Sequence, residues 1–388
     1  MNHCEACGGN TINHPLHYFG TFLDLVLQRF RTVLPTPKGS GKAARLAALA
    51  WEALVSAGLS ERLEAPDEKT LGHVRTLWEE AARRGIIMRE YRPFSSVRNS
   101  FTARLPDGTI LDFDGMPDLP GRELWWFNNK SVFKRRFRTL GLPVPHGGAA
   151  ATASRARELF ERLQKPVVVK PVLGSASRHT TMHVRTEPEL LEAFAEARRI
   201  CPLVSIEEEL PGDVYRPTLV GGKLIATLRR DQPFICGDGA KSVLRLVEEA
   251  NEHPARRGPH FSPIELKEAA KSELAYQGLT LESVAQKGRK VKLHQKINWA
   301  LGGTTEDVTE AVHSENRVLF ERVAAALEAP LVGIDFITED ISRPWHETRS
   351  GIIECNDMPY FDNHHLPFSG KPRDIAGPLW DLIVASYV

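Results

Sequence analysis

The sequence predicts an α+β protein in which antiparallel hairpins alternate with helices around mixed sheets. Two observations support this fold class. Stretches of alternating apolar residues meet at tight turns, and stretches with apolar residues at helical spacing separate them. With 388 residues the chain is long enough for two or three subdomains with sizeable cores. It contains no internal repeat and no low-complexity tract.

The first region, residues 1–126, is predicted to be an N-terminal accessory domain with α/β character. It contains an apolar segment at 18–30 and helical patterns at 43–57 and 68–84. A hairpin follows, in which the strands SFTARL and TILDF flank a Pro-Asp-Gly turn at 106–108. The sequence changes character near residue 125, so we place a domain boundary there.

The second region, residues 127–388, begins with a basic helix that stops at Gly141. Its further helical patterns cover 154–164, 187–199, 242–251, 263–277 and 313–328. Predicted strands cover 166–172, which reads PVVVKPV, and the glutamate-rich stretch 203–210. A second hairpin turns at the two glycines 221 and 222.

Residues 331–356 are the most informative part of the chain, because two strand-like segments carry polar groups there. Asp335 lies in LVGIDFITED, and Glu354 and Asn356 lie in SGIIECN. Residues two apart on a strand share a face, and antiparallel pairing would bring Asp335 to the other two. Such oxygen ligands suit Mg²⁺ with phosphate, whereas unpaired buried carboxylates are costly. We expect a metal–nucleotide site, with an exposed edge hairpin as the alternative.

Four basic residues accompany these carboxylates. Lys130 begins a helix, and Lys170 closes an apolar strand, where it would point at an anion. Arg216 and Arg230 lie on the two arms of the second hairpin and could clamp a carboxylate or a phosphate. The alternative for each is a side chain that extends to solvent.

Two loops and one acidic strand are further candidates. The loop after Lys170, which reads VLGSASRHTTMHV, could cover phosphates with its backbone N–H groups. A second loop at Gly303 could do the same or be a plain turn. Among Glu207, Glu208 and Glu209, at least one must face inward, where it needs a partner such as a ribose hydroxyl, an adenine amino group or a lysine.

Cys4, Cys7, His14 and His17 have spacings compatible with a tetrahedral Zn²⁺ site. The alternative is a reduced, partly exposed N-terminal segment. The remaining three of the five cysteines suit small core positions. An odd cysteine count over a long chain argues against a disulfide framework.

The composition excludes several classes of partner. The formal net charge is +1, which gives no steering toward nucleic acid or anionic membranes. No apolar run reaches the length of a membrane span, and the N-terminus lacks a signal pattern. We therefore expect a cytoplasmic protein with no nucleic-acid or membrane partner.

From about residue 128 onward, the chain resembles the ATP-grasp domain of the cyanophycin synthetase family. The resemblance covers about two thirds of the chain and is strongest in five blocks that occur in the family's order: 236–251, 301–313, 331–344, 352–356 and 369–381. It implies an ATP-grasp fold, in which two α+β lobes grip ATP, with a central lobe at about 165–235. The family's Mur-ligase-like domain is not expected in this chain, which ends at Val388.

The resemblance implies an ATP-dependent carboxylate–amine ligase that acts through an acyl phosphate on an amino acid or short peptide. The protein is expected to form a homo-oligomer. The family pattern assigns roles by position: Mg²⁺ binding to Asp335, Glu354 and Asn356; ATP binding to Lys130, Lys170, Ser175, Ser177, Glu207, Leu210 and Asp213; substrate contacts to Arg216, Gly303 and His364; and catalysis to Arg230, Lys170 and Asn356.

Several positions depart from the family pattern. Ser177 and His179 occupy glycine positions of the phosphate loop, Asn129 replaces an aspartate, and DMPYFDNHH follows IIECN where the family has small glycines. The acceptor substrate is therefore expected to differ. Two other functions remain open: a catalytically impaired nucleotide- or peptide-binding module that partners another ligase, and a kinase-like enzyme.

Overall fold

The computed structural model describes residues 4–7, 12–27, 41–94, 100–117, 119, 126, 129–174, 177–258 and 260–387. Ser175, a predicted nucleotide contact, lies outside these residues. The helices within the described chain are α1 (His14–Leu27), α2 (Gly41–Ser56), α3 (Gly72–Arg83), α4 (Lys130–Thr139), α5 (Ala153–Arg162), α6 (Glu187–Arg198), α7 (Val243–Asn251), α8 (Glu268–Tyr276), α9 (Ser314–Leu327), α10 (Asp362–His365) and α11 (Ala376–Tyr387).

The strands fall into four sheets. In chain order they are β1 (Ser60–Leu63), β2 (Ile87–Pro93), β3 (Ser100–Arg104), β4 (Ile110–Asp114), β5 (Gly147–Ala150), β6 (Val167–Pro171), β7 (Thr181–Val184), β8 (Val204–Glu208), β9 (Asp213–Val220), β10 (Lys223–Asp231), β11 (Phe234–Cys236), β12 (Lys290–Lys292), β13 (Thr304–Asp307), β14 (Leu331–Thr338) and β15 (Gly351–Asn356). All the pairings within these sheets are antiparallel.

The N-terminal sheet has the order β1-β2-β3-β4 and contains the predicted hairpin. Its core is shared with the C-terminal helix α11. Trp380 of α11 is fully buried and donates its indole N–H to the carbonyl of Leu77 in α3 at 2.9 Å. Val220 and Leu331 of the central sheet join the same apolar cluster. The N-terminal region is thereby packed against the rest of the chain, and the boundary near residue 126 stays a prediction.

The second sheet has the order β5-β8-β6-β7 and is covered on one face by α5 and α6. Val167 and Val169 of β6 are fully buried in the cluster with these helices. Lys170 is one residue further along, so its side chain leaves the opposite face of the sheet. This alternation directs the lysine away from the helices.

The third sheet has the order β13-β10-β9-β14-β15 and forms the floor of the candidate site. Helix α9 packs on one face, against Val332, Ile334 and Phe336 of β14. Asp335 lies between these residues in sequence and therefore belongs to the other face. A small sheet of β11 and β12 packs with α7 and α8 beside this one.

Two helices are shorter than their sequence patterns. The helix predicted at 68–84 begins at Gly72, because the Asp67 carboxylate accepts the N–H groups of Lys69 and Thr70 at 3.0 and 3.1 Å and holds a turn. The helix predicted at 263–277 begins at Glu268. There the Asn251 side chain bonds both the N–H and the carbonyl of Ile264 and keeps this residue out of the helix.

Candidate active site

The predicted pairing of the acidic strands is present in the structure. Strands β14 and β15 are antiparallel neighbours, with Asp335 opposite Glu354 and Gly333 opposite Asn356. A bulge follows between Asp335 and Phe336. Directly opposed residues of a ladder share one face of the sheet. The three predicted metal ligands therefore lie on the face opposite α9.

Two arginines hold Asp335 on this face. Arg216 of β9 donates to both carboxylate oxygens, Nε to Oδ1 at 2.5 Å and Nη2 to Oδ2 at 2.8 Å. Arg230 of β10 donates from Nη1 to Oδ1 at 3.1 Å. Burial opposes the ionisation of Asp335, but the two guanidinium groups outweigh it and hold the pKa of this carboxyl below its ordinary value. Asp335 is therefore an anion near neutral pH.

Glu354 and Asn356 each carry a polar group that makes no hydrogen bond with the described residues. Glu354 is half-buried and accepts no hydrogen bond from the described residues. The amide nitrogen of Asn356 is buried and has no hydrogen-bond partner among the described residues, which is unusual for a buried polar atom. Two carboxylates and an amide in one patch are the oxygen donors that Mg²⁺ accepts, so these residues fit the metal that was predicted.

A second charged cluster lies on the facing sheet. Lys170 Nζ is 2.9 Å from Glu207 Oε2, and Lys134 contacts the same oxygen more closely. Ser205 donates to the other oxygen of Glu207 at 2.6 Å. Burial opposes ionisation of Glu207, yet the lysines lower the pKa of the Glu207 carboxyl below its ordinary value. Both oxygens of this carboxylate are therefore engaged, and the observed lysine partners match one of the predicted alternatives. The role of Glu207 toward adenine stays a prediction.

Lys134 is a site residue that the sequence analysis missed. It lies four residues after Lys130 on α4, and residues with this spacing share a helix face. The Lys134 side chain is buried, and burial lowers the pKa of its ammonium group to about 7. The helical spacing of the two lysines was the signal that could have identified it.

Lys130 connects the two clusters. Asn129 caps α4 by accepting the N–H groups of Ser131 and Val132, which an aspartate there would also do. This cap places Lys130 at the first turn, where its Nζ donates to the carbonyl of Gly174 at 2.7 Å. Burial lowers the pKa of Lys130, while the negative charge of Glu354 opposes this shift. The charge of Glu354 thus acts on a lysine of the facing cluster.

The predicted phosphate loop has a left-handed backbone where the family has glycine. Ser177 and His179 have φ values of 52° and 50°, and Gly174 precedes them with φ of 153°. Residues with a Cβ adopt such values at a cost of roughly 1–2 kcal/mol. The Ser177 side chain is exposed, whereas His179 is buried.

Three other residues that were predicted to contact ATP or substrate make contacts with other residues of the chain. Asp213 binds Lys290 Nζ at 2.9 Å, and Asp231 binds the same ammonium group at 2.6 Å. Leu210 packs on Gly351, where an added Cβ would be 2.9 Å from its Cδ1. Gly303 donates its N–H to the carbonyl of Asn298 at 3.0 Å, which agrees with a tight turn. Their assigned roles toward ATP or substrate remain predictions.

His364 lies on the same sheet face as the arginine pair. It is buried, and its Nε2 is 2.7 Å from Thr218 Oγ1, two residues after Arg216 on β9. Its Nδ1 is buried and meets no hydrogen-bond partner in the part of the chain that the structure describes. Burial, reinforced by the positive charge of Arg216, lowers the pKa of His364 to about 3. His364 is therefore neutral and can accept or donate one hydrogen bond toward the site.

The N-terminal cysteines lie in a cluster whose fourth member differs from the prediction. The ligand atoms of Cys4, Cys7, His14 and His179 all lie within 4.8 Å of one another. The predicted fourth member, His17, does not belong to this cluster, and His179 takes its place. His17 lines a cavity beside Leu173 instead. His179 is distant in sequence, so spacing gave no sign of it.

No helix among the described residues is both long enough and apolar enough to span a membrane. All five cysteines are unbridged thiols.

The chain is similar in sequence to several curated proteins. A cyanophycin synthetase from Nostoc sp. is 33% identical over 259 residues, which cover 66% of this chain and 29% of the relative. A cyanophycin synthetase from Synechocystis sp. is 33% identical over 268 residues, which cover 66% of this chain and 30% of the relative. A glutathione biosynthesis bifunctional protein from Streptococcus mutans is 30% identical over 267 residues, 65% of this chain and 34% of the relative. No protein-family model matches the chain.

Among solved structures, a bifunctional glutathione synthetase from Pasteurella multocida superposes with a TM-score of 0.56 and 24% identity, covering 81% of this chain and 43% of that one. The predicted fold class is confirmed: the protein has an ATP-grasp fold with an additional N-terminal region. The predicted resemblance is confirmed as well, since this ATP-grasp domain is similar to cyanophycin synthetase. The chain spans about a third of the length of these curated relatives.

Proposed function

We propose that the protein is an ATP-dependent ligase that joins the carboxylate of an amino acid or short peptide to an amine. The single observation that carries this proposal is the opposition of Asp335 and Glu354 on a sheet face that also presents Arg216 and Arg230. Carboxylates for a divalent cation beside several fixed cations form a suitable environment for a triphosphate and a substrate carboxylate.

In the proposed reaction, a carboxylate oxygen of the substrate attacks the γ-phosphorus of ATP. A new O–P bond forms, the bond to ADP breaks, and an acyl phosphate results. The amine nitrogen then attacks the carbonyl carbon, loses a proton, and displaces inorganic phosphate. No side-chain nucleophile is needed, because the substrate carboxylate takes that part. The protein contributes positioning and charge stabilisation.

The residues divide these tasks between the two lobes. Asp335, Glu354 and Asn356 would hold Mg²⁺, which when bound neutralises phosphate charge and aligns the phosphoryl group. Lys130 and Lys170 would contact the phosphates from the facing side. Arg230 would stabilise the negative charge on the transferring group, and Arg216 would orient the substrate carboxylate. His364, buried beside Arg216 and neutral, would face the acceptor.

The ion pairs observed among these groups suit a site that exchanges partners. Five cations surround three carboxylates: Lys130, Lys134, Lys170, Arg216 and Arg230 against Glu207, Asp335 and Glu354. The excess of positive charge favours a polyanionic ligand such as ATP with a carboxylate substrate. Buried charges need partners, and Asp335 provides one for both arginines.

An isotope experiment tests the acyl phosphate. A substrate labelled with ¹⁸O in its carboxylate should transfer one labelled oxygen to the released phosphate, because that oxygen bridges carbon and phosphorus in the intermediate. Mass spectrometry of the phosphate detects the label. Amide formation with unlabelled phosphate would contradict this pathway.

The left-handed residues of the phosphate loop favour a second candidate, a module that binds nucleotide or peptide without turnover. Ser177 and His179 replace glycine there, and side chains limit how closely a backbone can approach phosphate. ATP binding measured by calorimetry, without ADP release for any acceptor, would support this candidate. Size-exclusion chromatography with light scattering tests the expected homo-oligomer separately.

A further inference from the structure

We propose that Cys4, Cys7, His14 and His179 bind one Zn²⁺ ion, which fastens the N-terminal segment to residues 177–180. Cys7 Sγ is 3.1 Å from His14 Nε2 and 3.2 Å from His179 Nε2, and Cys4 Sγ is 3.9 Å from His179 Nε2. Ligand atoms on a tetrahedral zinc ion are separated by roughly 3.3–3.8 Å, given its bond lengths to sulfur and nitrogen. The four side chains are therefore already close to zinc geometry.

The local backbone presents both sulfurs to the same side. Residues 5–7 form a single 3-10 turn, in which the Cys7 N–H donates to the Cys4 carbonyl at 3.1 Å. Within the same turn, the Ala6 carbonyl accepts the N–H of His179 at 3.1 Å. The cysteine turn and the histidine segment are thus joined by backbone hydrogen bonds beside the four ligand atoms. Cys7 and His179 are buried at 3% and 1% exposure.

In both histidines the ring nitrogen that faces away from the sulfurs, Nδ1, contacts another residue and thereby orients the imidazole ring. His179 Nδ1 lies 2.9 Å from the Glu196 carbonyl and 2.7 Å from Glu196 Oε1, which directs Nε2 at the sulfurs. A histidine that binds metal through one nitrogen usually gives the other to a carboxylate or carbonyl in this way. The contact of His179 with Glu196 thus supplies the outer partner that a zinc-binding histidine requires.

His14 has a different second contact. Its Nδ1 lies 3.1 Å from Arg199 Nη2, and Arg199 Nη1 also binds Glu196 Oε2 at 3.1 Å. Zinc on His14 Nε2 requires a proton on Nδ1, so Arg199 would give up His14 and keep Glu196. Loading the site then needs one exposed side chain to turn and leaves the backbone in place.

A metal ion at this site would stabilise the backbone of the segment that leads into β7. His179 has a φ of 50°, and a metal bond offsets the cost of holding that conformation. The segment covers the phosphates of ATP only if the proposed function holds. Zinc binding itself does not depend on that function, so metal content tests the two ideas separately.

Metal analysis of the full-length protein tests the proposal. Elemental mass spectrometry should find one zinc per chain in protein purified without chelator, and the C7S and H179A variants should lose most of it. The matched controls are H17A, a histidine three residues from His14, and C236S, an exposed thiol outside the cluster. Both controls should keep full zinc content.

A spectroscopic readout covers the case in which a ligand variant fails to fold. Cobalt added to chelated wild-type protein should give the visible absorption of a tetrahedral thiolate site, and zinc should abolish it. Hydrogen exchange at residues 177–184 should slow when zinc is added back. Wild-type protein with far less than one zinc and no cobalt spectrum would overturn the proposal, as would a Cys4–Cys7 disulfide or zinc loss in H17A.

Discussion

Asp335 and Glu354 lie directly opposite each other in the β14–β15 ladder, on the sheet face that α9 does not cover. Arg216 and Arg230 neutralise Asp335, whereas Glu354 accepts no hydrogen bond from the described residues. The pair is therefore asymmetric: one carboxylate is fixed by cations and the other is available. We infer that Glu354 is the carboxylate on which metal binding depends most.

The E354Q variant should lose at least about a hundredfold in kcat, since a metal that neutralises phosphoryl charge contributes several kcal/mol. The measurement is ADP release with saturating Mg²⁺ and ATP. The control is E347Q, because Glu347 is exposed and its described contact is Arg343 at 3.4 Å. Equal turnover in E354Q and E347Q would contradict the metal assignment.

Neighbouring arginines on β10 provide a matched pair. Arg230 binds Asp335, while Arg229 faces the other way and binds Asp231 at 3.0 Å and Glu306 at 2.6 Å. The R230M variant should lower kcat by about 10²–10³-fold, the usual effect of removing one charge-stabilising donor. R229M should change kcat by less than about threefold, well below that loss. Similar losses in both variants would indicate a structural effect.

Removal of the Glu207 charge should destabilise the lobe that contains it. The E207Q variant leaves Lys134 and Lys170 without their shared anion, and breaking a buried pair in this way costs about 3–5 kcal/mol. The midpoint of urea-induced unfolding should fall accordingly. E208Q is the control, since the Glu208 carboxylate accepts, within the described residues, only the backbone N–H of Gln164 at 3.3 Å. The midpoint of this variant should stay near that of wild type.

His364 predicts a pH dependence of stability. Burial lowers the pKa of His364 to about 3, whereas an unfolded histidine has a pKa of about 6.5. Between these two pH values the unfolded state binds a proton on His364 that the folded state does not bind. The contribution of neutral His364 to the free energy of unfolding is therefore complete above about pH 6.5. It falls by about 1.4 kcal/mol for each pH unit below that value.

Urea unfolding at pH 7.5 and pH 5.5 measures this effect. The wild type should lose more stability between the two values than H364Q, which has no proton to bind. H346Q is the control because His346 is exposed and paired with Glu315 at 2.7 Å, and it should keep the wild-type pH dependence. An unchanged dependence in H364Q would show that His364 does not carry this contribution.

The sequence sufficed to predict the acidic strands and their pairing because the pattern is local. Alternation along β14 and β15 determines which side chains share a face of the sheet. The two strands are close in sequence, because residues 339–350 connect them directly. The position of Lys130 at the start of a helix was predictable for the same reason, from the capping residue before it.

The contacts that the sequence did not reveal join distant parts of the chain. His179 meets Cys7 across 172 positions, and no periodicity reports such a distance. A lysine was among the predicted partners of Glu207, but the sequence did not show that Lys134 of α4 would be that lysine. Lys290 of β12 pairs with Asp213, and this ion pair was not predicted either. These pairings follow from how the sheets pack, which local patterns leave open.

The most direct test of the central claim is product analysis by mass spectrometry. The protein is incubated with ATP, Mg²⁺ and a library of amino acids and dipeptides, with E354Q in parallel. We expect a product whose mass is that of two library members minus water, with equal amounts of ADP and phosphate, and none with E354Q. A product that retains phosphate, or ATP binding without ADP release across the whole library, would contradict the ligase account.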